Sequence, residues 1–230
     1  MKYVGSKAKI AKHLLPIILA NRRPDQWYVE PFVGGSNMID KVGGPRLGND
    51  IDSNLIAMFR ALQTGWMPPA NVSRDEYYAI KANPQNYSPE LVCFVSLGCS
   101  FGNKRWGGYA QNKKGTNYAD VCRRNLLKQL PNIKDVAYTN QNYWSLNIPE
   151  NSIVYCDPPY AGTVKYSKEG FNHEQFWEWV RHISLFHKVF VSEYAAPPDF
   201  ECVLSVPTLT TMNKNSKDVR IEKLFRLRGS

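Results

Sequence analysis

The tetrapeptide Asp157-Pro158-Pro159-Tyr160 directly follows the apolar run from Ile153 to Cys156. An apolar run that is stopped by two prolines predicts a buried strand that ends abruptly. In an open parallel α/β sheet, ligands bind beyond the carboxyl ends of the strands. Because proline has no amide donor, this turn offers carbonyl and carboxylate acceptors beside an aromatic ring. The combination suits a planar base with an exocyclic amino group, although Asp-Pro-Pro also occurs in ordinary turns.

The length and charge of the chain narrow the class of protein and of partner. A chain of 230 residues can form one α/β domain with a small insertion. Its 29 basic and 20 acidic residues give a net charge of +9, which favours a polyanionic partner, nucleic acid ahead of membrane. No apolar stretch approaches the roughly 20 residues that cross a bilayer, and no secretory signal is visible. We therefore expect a cytoplasmic protein that does not enter the membrane.

The cysteines and histidines do not form a metal-binding pattern. The five cysteines are scattered and include no C-x-x-C pair, which is typical of reduced thiols in a cytoplasmic protein. The four histidines lack ligand spacing with acidic or thiol partners. We expect no metal site.

Predicted strands and helices alternate on both sides of a polar, proline-punctuated segment. This order predicts an α/β fold with a doubly wound, Rossmann-like sheet. We place the inserted segment at residues 66–118, between residues 1–65 and 119–230. The predicted strands are 27–29, 46–50, 152–155, 188–192, 200–206 and 221–227. The predicted helices are 7–19, 53–61 (with Ser53 as N-cap), 89–98, 120–130 (ended by Pro131) and 173–185.

A glycine-containing loop follows the first predicted strand, with the sequence Phe32-Val33-Gly34-Gly35-Ser36. Glycines let a backbone turn tightly and approach a ligand closely. Asp50 ends the next strand, where an acid can hold ribose hydroxyl groups. The loop and the acid together predict a site for a nucleoside-containing cofactor. An ordinary strand-to-helix turn is the alternative.

The N-terminal segment Tyr3-Val4-Gly5-Ser6-Lys7 opens the first predicted helix. A lysine in the first helical turn is poorly placed for the helix dipole, which suggests that Lys7 meets a carboxylate instead. A disordered tail with a cap at Ser6 is the alternative.

The segment from Asn103 to Tyr118 is basic and aromatic and contains no acid. Basic side chains neutralise phosphates, and aromatic rings can stack or wedge between bases. This pattern predicts a DNA-binding surface, with a solvated loop as the alternative. The candidate residues are Lys104, Arg105, Trp106, Tyr109, Lys113 and Lys114.

These motifs, in this order, resemble the DNA adenine methyltransferase family of the D12, Asp-Pro-Pro-Tyr class. The order is Tyr-x-Gly-x-Lys, Glu-Pro-Phe-x-Gly-Gly, Asn-Asp, a recognition insertion, and Asp-Pro-Pro-Tyr. The resemblance implies a Rossmann-like methyltransferase sheet with a small inserted target-recognition domain. It also implies methyl transfer from S-adenosylmethionine to the exocyclic amino nitrogen of adenine in double-stranded DNA.

The resemblance also assigns residues by position. The catalytic group would be Asp157, Pro158, Pro159 and Tyr160, and the cofactor-binding group would be Tyr3, Lys7, Phe32, Gly34, Gly35, Asp50, Asn142 and Asp157. Asn142 stands where the family often has an acid. The insertion departs from the family pattern, so GATC specificity is not carried over.

Other functions remain open at this stage. The acceptor could be adenine in RNA or the amino group of cytosine, although Asp157 in the first catalytic position favours adenine. A catalytically silent DNA-binding regulator of the same fold is a second alternative, and a dinucleotide oxidoreductase a distant third. A cognate restriction endonuclease is a candidate partner, and the compact size is compatible with a phage-type enzyme acting in the host cytoplasm.

Overall fold

A computed structural model describes residues 1–160, 170–209 and 219–230 of the chain. The helices are α1 (Ala11–Ile18), α2 (Ser53–Gln63), α3 (Arg74–Ala82), α4 (Pro89–Cys93), α5 (Tyr118–Ile133) and α6 (His173–Ile183). A π-helix, Phe94–Gly98, continues α4, and 3₁₀ turns lie at Lys7–Lys9, Ile39–Lys41, Pro84–Asn86, Phe101–Asn103 and Tyr143–Ser145. Over the described residues, every helix is too short or too polar to cross a membrane.

The described strands form one sheet in the order β3-β2-β1-β4-β5-β7-β6. They are β1 (Tyr28–Glu30), β2 (Arg46–Asn49), β3 (Ala137–Thr139), β4 (Ile153–Cys156), β5 (Lys188–Glu193), β6 (Phe200–Leu209) and β7 (Val219–Leu227). The first five are parallel, whereas β7 runs antiparallel to both β5 and β6. The strand order reverses between β1 and β4, which is where an open α/β sheet binds its ligand.

The central strands are covered on both faces. In β4, Ile153 and Tyr155 belong to one apolar cluster, whereas Val154 and Cys156 belong to another. Alternate residues of a strand point to opposite faces, so the two clusters lie on the two sides of the sheet. The first cluster takes residues from α1, α2 and α5, and the second takes residues from α6. The predicted doubly wound α/β fold is therefore confirmed.

The segment 66–118 shares the core of the sheet. Tyr77 and Ile80 of α3, together with Val92 and Phe94, belong to the same apolar cluster as Phe59 of α2. The Tyr77 side chain is fully buried, and its hydroxyl lies 2.7 Å from the Ser100 hydroxyl. The first half of the segment is thus packed as part of the main domain, while its role in target recognition stays a prediction.

Some local predictions were wrong. Pro131 lies inside α5, which continues to Ile133, because other elements bond the carbonyls at its end. Arg46 donates to the Asn132 carbonyl at 2.7 Å, and Gln63 donates to the Ile133 carbonyl at 2.8 Å. These tertiary partners satisfy two of the carbonyls that a helix end leaves open, and they stabilise the last turn of α5 beyond the proline.

Two short elements and one cap were also missed or misplaced. The sequence reasoning did not predict β3, which has only three residues, or α3. A capping box between Ser73 and Glu76 marks the start of α3 and was available as a signal. The N-cap of α2 is Asp52, whose side chain accepts from the Leu55 amide, rather than Ser53.

The shared core predicts that damage to α3 unfolds the whole domain. Tyr77→Ala should lower the free energy of unfolding by about 3–5 kcal/mol, as expected for removing a buried aromatic ring. Urea denaturation followed by circular dichroism should show a single transition at lower denaturant. Tyr78→Ala is the matched control, because the neighbouring Tyr78 side chain is 43% exposed. Two separate transitions, with only one of them shifted, would contradict a shared core.

Candidate active site

Asn49, at the end of β2, holds together the loops that leave three parallel strands. Its side-chain amide donates to the Pro31 carbonyl at 3.1 Å and to the Gln141 carbonyl at 3.0 Å. Its side-chain oxygen accepts from the Thr139 hydroxyl and from the Gln141 amide. Asn49 is fully buried, so these bonds are shielded from water. The loops after β1, β2 and β3 are thereby brought to one edge of the sheet.

Asp50 holds the glycine loop that follows β1 through a hydrogen bond. Its carboxylate accepts from the Gly34 amide and from the Asp52 amide, both at 3.0 Å. Burial raises the pKa of Asp50 to about 6, and the hydrogen bond from Gly34 opposes that rise. The next residue, Ile51, is 71% exposed and was not found from the sequence. An acid and an exposed apolar side chain thus stand side by side at the end of β2.

The N-terminal segment packs directly on the glycines. A Cβ atom on Gly35 would lie 2.6 Å from the Tyr3 Cβ, and one on Gly34 would lie 3.0 Å from the Tyr3 ring. Gly34 also has a φ of +46°, in the left-handed region. The two glycines therefore make room for Tyr3, and its predicted contact with the cofactor stays a prediction. The N-terminal ammonium group donates to Asn37 and Gln129, which ties the chain end down.

Lys7 meets a carboxylate, as the sequence predicted. Its ammonium nitrogen lies 3.2 Å from Asp157 Oδ1 and 3.3 Å from Glu222 Oε2. Burial acts to lower the pKa of Lys7, but the two carboxylates outweigh it and raise the pKa above its ordinary value. Burial also raises the pKa of Asp157, and the Lys7 charge opposes that rise. Ser6 is the N-cap of this turn and accepts from the Ala8 amide.

Tyr160 stands beside this ion pair. Its hydroxyl donates to Glu222 Oε2 at 2.8 Å, and its ring meets the Tyr194 ring edge-on at 4.7 Å. The Lys7 ammonium lies 4.3 Å from the centroid of the Tyr160 ring. Burial and the nearby carboxylates raise the pKa of Tyr160, so its hydroxyl keeps its proton at neutral pH. Glu222 comes from β7 and belongs to no local motif, so no pattern in the sequence could have pointed to it.

Glu30, at the end of β1, is a further buried acid that the sequence reasoning did not single out. Its side chain is 3% exposed, and burial raises its pKa well above the ordinary value. A hydrogen bond from the Tyr28 hydroxyl opposes that rise. Glu30 is therefore a buried acid next to the glycine loop, with Tyr28 beside it.

Phe32 and Asn142, both predicted to bind the cofactor, lie in different surroundings. The Phe32 ring packs against Tyr143 at 5.2 Å and against Phe176 at 5.8 Å. Asn142 is half-buried at the N-cap position of the 3₁₀ turn Tyr143–Ser145. A direct link between this loop and Asp50 comes from Asn140, whose side-chain amide donates to the Asp50 carbonyl at 2.7 Å.

The aromatic residues of the predicted DNA-binding segment pack inward. The Trp106 and Tyr109 rings lie 5.5 Å and 5.7 Å from the Tyr77 ring, and the Tyr109 hydroxyl donates to the Val72 carbonyl. Arg105 forms an ion pair with Asp52, two residues beyond Asp50.

Other side chains of the same segment face solvent. Lys104, Lys113 and Lys114 are exposed, as a phosphate-binding role requires. Phe101, which the sequence reasoning missed, is 70% exposed and lies just before this segment, next to the bridge between Ser100 and Tyr109. Gly102 and Asn103 beside it have positive φ values of 65° and 54°, which produce the tight turn.

No group of three acidic, cysteine or histidine residues that could hold a metal ion occurs in the described ranges, which omit 161–169 and 210–218.

Two solved structures described as methylases or methyltransferases resemble this fold only distantly. HI0767 of Haemophilus influenzae has a TM-score of 0.39 at 10% identity and covers 96% of this chain and 98% of its own. SMU.472, complexed with SAH, has a TM-score of 0.40 at 10% identity and covers 100% of this chain and 54% of its own. Both scores are too low to carry an argument, so the fold assignment rests on the strand order.

Sequence relatives are more informative. The modification methylase StsI of Streptococcus sanguinis is 25% identical over 204 residues, which cover 75% of this chain and 30% of that protein. The type II methyltransferase M.FokI of Planomicrobium okeanokoites is 20% identical over 213 residues, which cover 80% and 32%. The chain therefore spans about a third of the length of these relatives.

The family described as D12 class N6 adenine-specific DNA methyltransferase matches residues 3–90 and 100–194. That match covers most of the chain, including the glycine loop, Asp50 and the Asp157–Tyr160 turn, and the chain belongs to this family.

Proposed function

We propose that this chain transfers a methyl group from S-adenosylmethionine to the exocyclic amino nitrogen of adenine in double-stranded DNA. The observation that carries the proposal is the position of Asp157 and Tyr160. Both residues lie beyond the end of β4, next to the point where the strand order reverses. The chain is also a member of the D12 class family. Lys7 orients the Asp157 carboxylate from the other side.

The residues around the glycine loop fit the cofactor. Gly34 and Gly35 add no side chain to the loop and Tyr3 packs on them, so Tyr3 would line the cofactor site together with the loop backbone. The Asp50 carboxylate would accept from ribose hydroxyls, and the exposed Ile51 offers an apolar surface to an adenine ring. The Glu30 carboxyl, buried at the end of β1 next to this loop, would accept a donor from the methionine end. When bound, S-adenosylmethionine supplies an electrophilic methyl group on a sulfonium.

Asp157 and Pro158 would activate the target nitrogen. The lone pair of the adenine amino group is delocalised into the ring, which makes it a poor nucleophile. Hydrogen bonds to the Asp157 carboxylate and the Pro158 carbonyl would localise that pair and stabilise the positive charge that develops on attack. Pro159 has no amide donor and keeps the turn rigid, and the Tyr160 ring would stack on the base and align it.

Loss of the Asp157 charge should slow methyl transfer strongly without loss of the cofactor. Asp157→Asn should lower the rate of methyl transfer by on the order of 10²–10³-fold, as expected when one preorganised electrostatic group is removed. Tritiated methyl incorporation into adenine-unmethylated DNA measures the rate, and calorimetric titration measures S-adenosylmethionine affinity. A variant that kept a rate close to that of the unaltered protein would exclude the proposed role.

The raised pKa of Asp50 predicts that cofactor affinity depends on pH. The carboxyl group is ionised above about 6, and only the ionised form accepts hydrogen bonds from both ribose hydroxyls. S-adenosylmethionine should therefore bind about tenfold more tightly at pH 7 than at pH 5. In Asp50→Asn the affinity should be weaker at pH 7 and nearly constant over this range. An unchanged pH dependence in that variant would assign the titration to another group.

We propose that residues 66–118 recognise the DNA target and residues 1–65 and 119–230 carry catalysis. Lys104, Lys113 and Lys114 are free to face phosphates, which supports a DNA-binding surface on this loop. A base that leaves the duplex costs a few kcal/mol, and an apolar wedge can fill the space it leaves. The exposed Phe101 side chain would serve as such a wedge.

We expect the neighbouring residues Lys104 and Arg105 to differ in their effect on DNA binding. Lys104→Ala should reduce the slope of log affinity against log salt by about 0.9, the value for one lost phosphate contact. Arg105→Ala should leave that slope nearly unchanged, because the Arg105 side chain pairs with Asp52. Fluorescence anisotropy of labelled duplex DNA at several salt concentrations measures both. Equal losses of slope would show that Arg105 leaves Asp52 to bind phosphate.

We also propose that the chain acts as a modification methylase, paired with a cognate restriction endonuclease in the cytoplasm of a bacterium or of a phage-infected host. The names of the two relatives, a modification methylase and a type II methyltransferase, support the modification role in this proposal. Sequencing of modified bases in DNA from cells that produce the chain would give the recognition site. A direct comparison of duplex DNA with RNA as methyl acceptors would test the RNA alternative.

A further inference from the structure

Glu222 links the two residues that frame the proposed target site. Its Oε2 atom lies 3.3 Å from the Lys7 ammonium and accepts from the Tyr160 hydroxyl at 2.8 Å. It stands on β7, opposite Val206 of β6, far from both partners in the sequence. Its side chain is only 15% exposed and that of Lys7 only 7%, so the contacts are largely shielded from water.

The charges of Lys7, Asp157 and Glu222 do not cancel. One ammonium lies between two carboxylates, so these three groups together carry one net negative charge when all are ionised. Without the Glu222 charge, the same ammonium would pair with Asp157 alone and neutralise it. In a site shielded from water, such a change in charge acts strongly on a nearby reacting group.

We propose that Glu222 is a positioning residue for methyl transfer: it holds the Lys7 ammonium and the Tyr160 hydroxyl, which leaves the Asp157 carboxylate available to the target amino group. The inference rests on the proposed function. Glu222 acts through its two partners rather than by contact with the base. It therefore adds a determinant of rate that comes from the antiparallel end of the sheet.

Glu222 would also keep the Lys7 ammonium paired when the target base binds. When an amino group donates to Asp157, Lys7 weakens its bond to that carboxylate but keeps a buried partner in Glu222. A buried cation without a partner would carry a large desolvation cost. The hydrogen bond from the Tyr160 hydroxyl to Glu222 and the edge-on contact with Tyr194 meanwhile fix the plane of the Tyr160 ring.

The test compares Glu222→Gln and Glu222→Ala with a matched control on the same hairpin. Glutamine keeps an oxygen that can accept from Tyr160 but loses the charge, whereas alanine loses both. The control is Glu201→Gln, which removes the ion pair between Glu201 of β6 and Arg226 of β7 at 2.6 Å. Initial rates of tritiated methyl transfer from S-adenosylmethionine to adenine-unmethylated bacterial DNA give kcat and KM.

The negative charge of Glu222 and its hydrogen bond with the Tyr160 hydroxyl should each contribute to kcat. We expect Glu222→Gln to lower kcat about tenfold and Glu222→Ala about 100-fold, as misplacement of a reacting group by ~1 Å costs on the order of 10²-fold. The calorimetric affinity for S-adenosylmethionine and the KM for DNA should change by no more than about twofold, which marks an effect on the transition state. Glu201→Gln should match the unaltered protein in all three measurements.

A double-mutant cycle with Tyr160→Phe tests the link to the hydroxyl. Tyr160→Phe keeps the ring but loses the donor, so its effect on kcat should be much smaller in the Glu222→Ala background. Additive effects would show that the two side chains act separately and would overturn the inference. Thermal denaturation of each variant monitors folding, and the near-isosteric Glu222→Gln keeps the test decisive if Glu222→Ala does not fold.

The two proposals fail in different ways. Equal kcat for Glu222→Gln and the unaltered protein, in a preparation that methylates adenine, would overturn the role of Glu222 alone. A fall in kcat matched by an equal loss of S-adenosylmethionine affinity would also overturn it, because a general structural defect would then explain the result. If the unaltered protein methylates no adenine in any duplex, the proposed function fails and the role of Glu222 fails with it.

Discussion

The ion pair between Lys7 and Asp157 is the interaction on which the arrangement of the site depends. Two charges are removed from water at the rim of the sheet, and such groups are tolerated only with partners in good geometry. This requirement draws the N-terminal segment across the strand ends, where Tyr3 packs on Gly34 and Gly35. The same contact joins the predicted cofactor loop to the predicted target site, so both proposed substrates face one structural unit.

The structure changes how the basic loop of the chain is understood. Its composition suggested a separate surface of cations and stacking rings, but Trp106 and Tyr109 pack around Tyr77 in the main core. Arg105 reaches Asp52, just beyond the acid that would hold ribose. The loop is therefore attached to the main core by the packing of Trp106 and Tyr109, and to the end of β2 by the ion pair of Arg105.

Prediction from the sequence was most reliable where the chemistry is local. A turn with two prolines after an apolar run located the end of β4, and the poor dipole position of Lys7 pointed to a carboxylate partner. It was least reliable where distant groups decide the outcome. Pro131 stays inside α5 because Arg46 and Gln63 satisfy the last carbonyls of that helix. Glu222 was not found because its partners lie more than sixty residues away in the chain.

The sequence by itself determined the order of the motifs, the α/β class and the residue types at the strand ends, because periodicity, proline and glycine act over a few neighbouring residues. Only the tertiary structure decided which charged groups share a partner and which aromatic rings face solvent. A strand register brings Glu222 to the rim beside Tyr160, and burial in a common core turns Trp106 and Tyr109 inward. Such outcomes depend on close packing and on the desolvation of charge, which are properties of the folded whole.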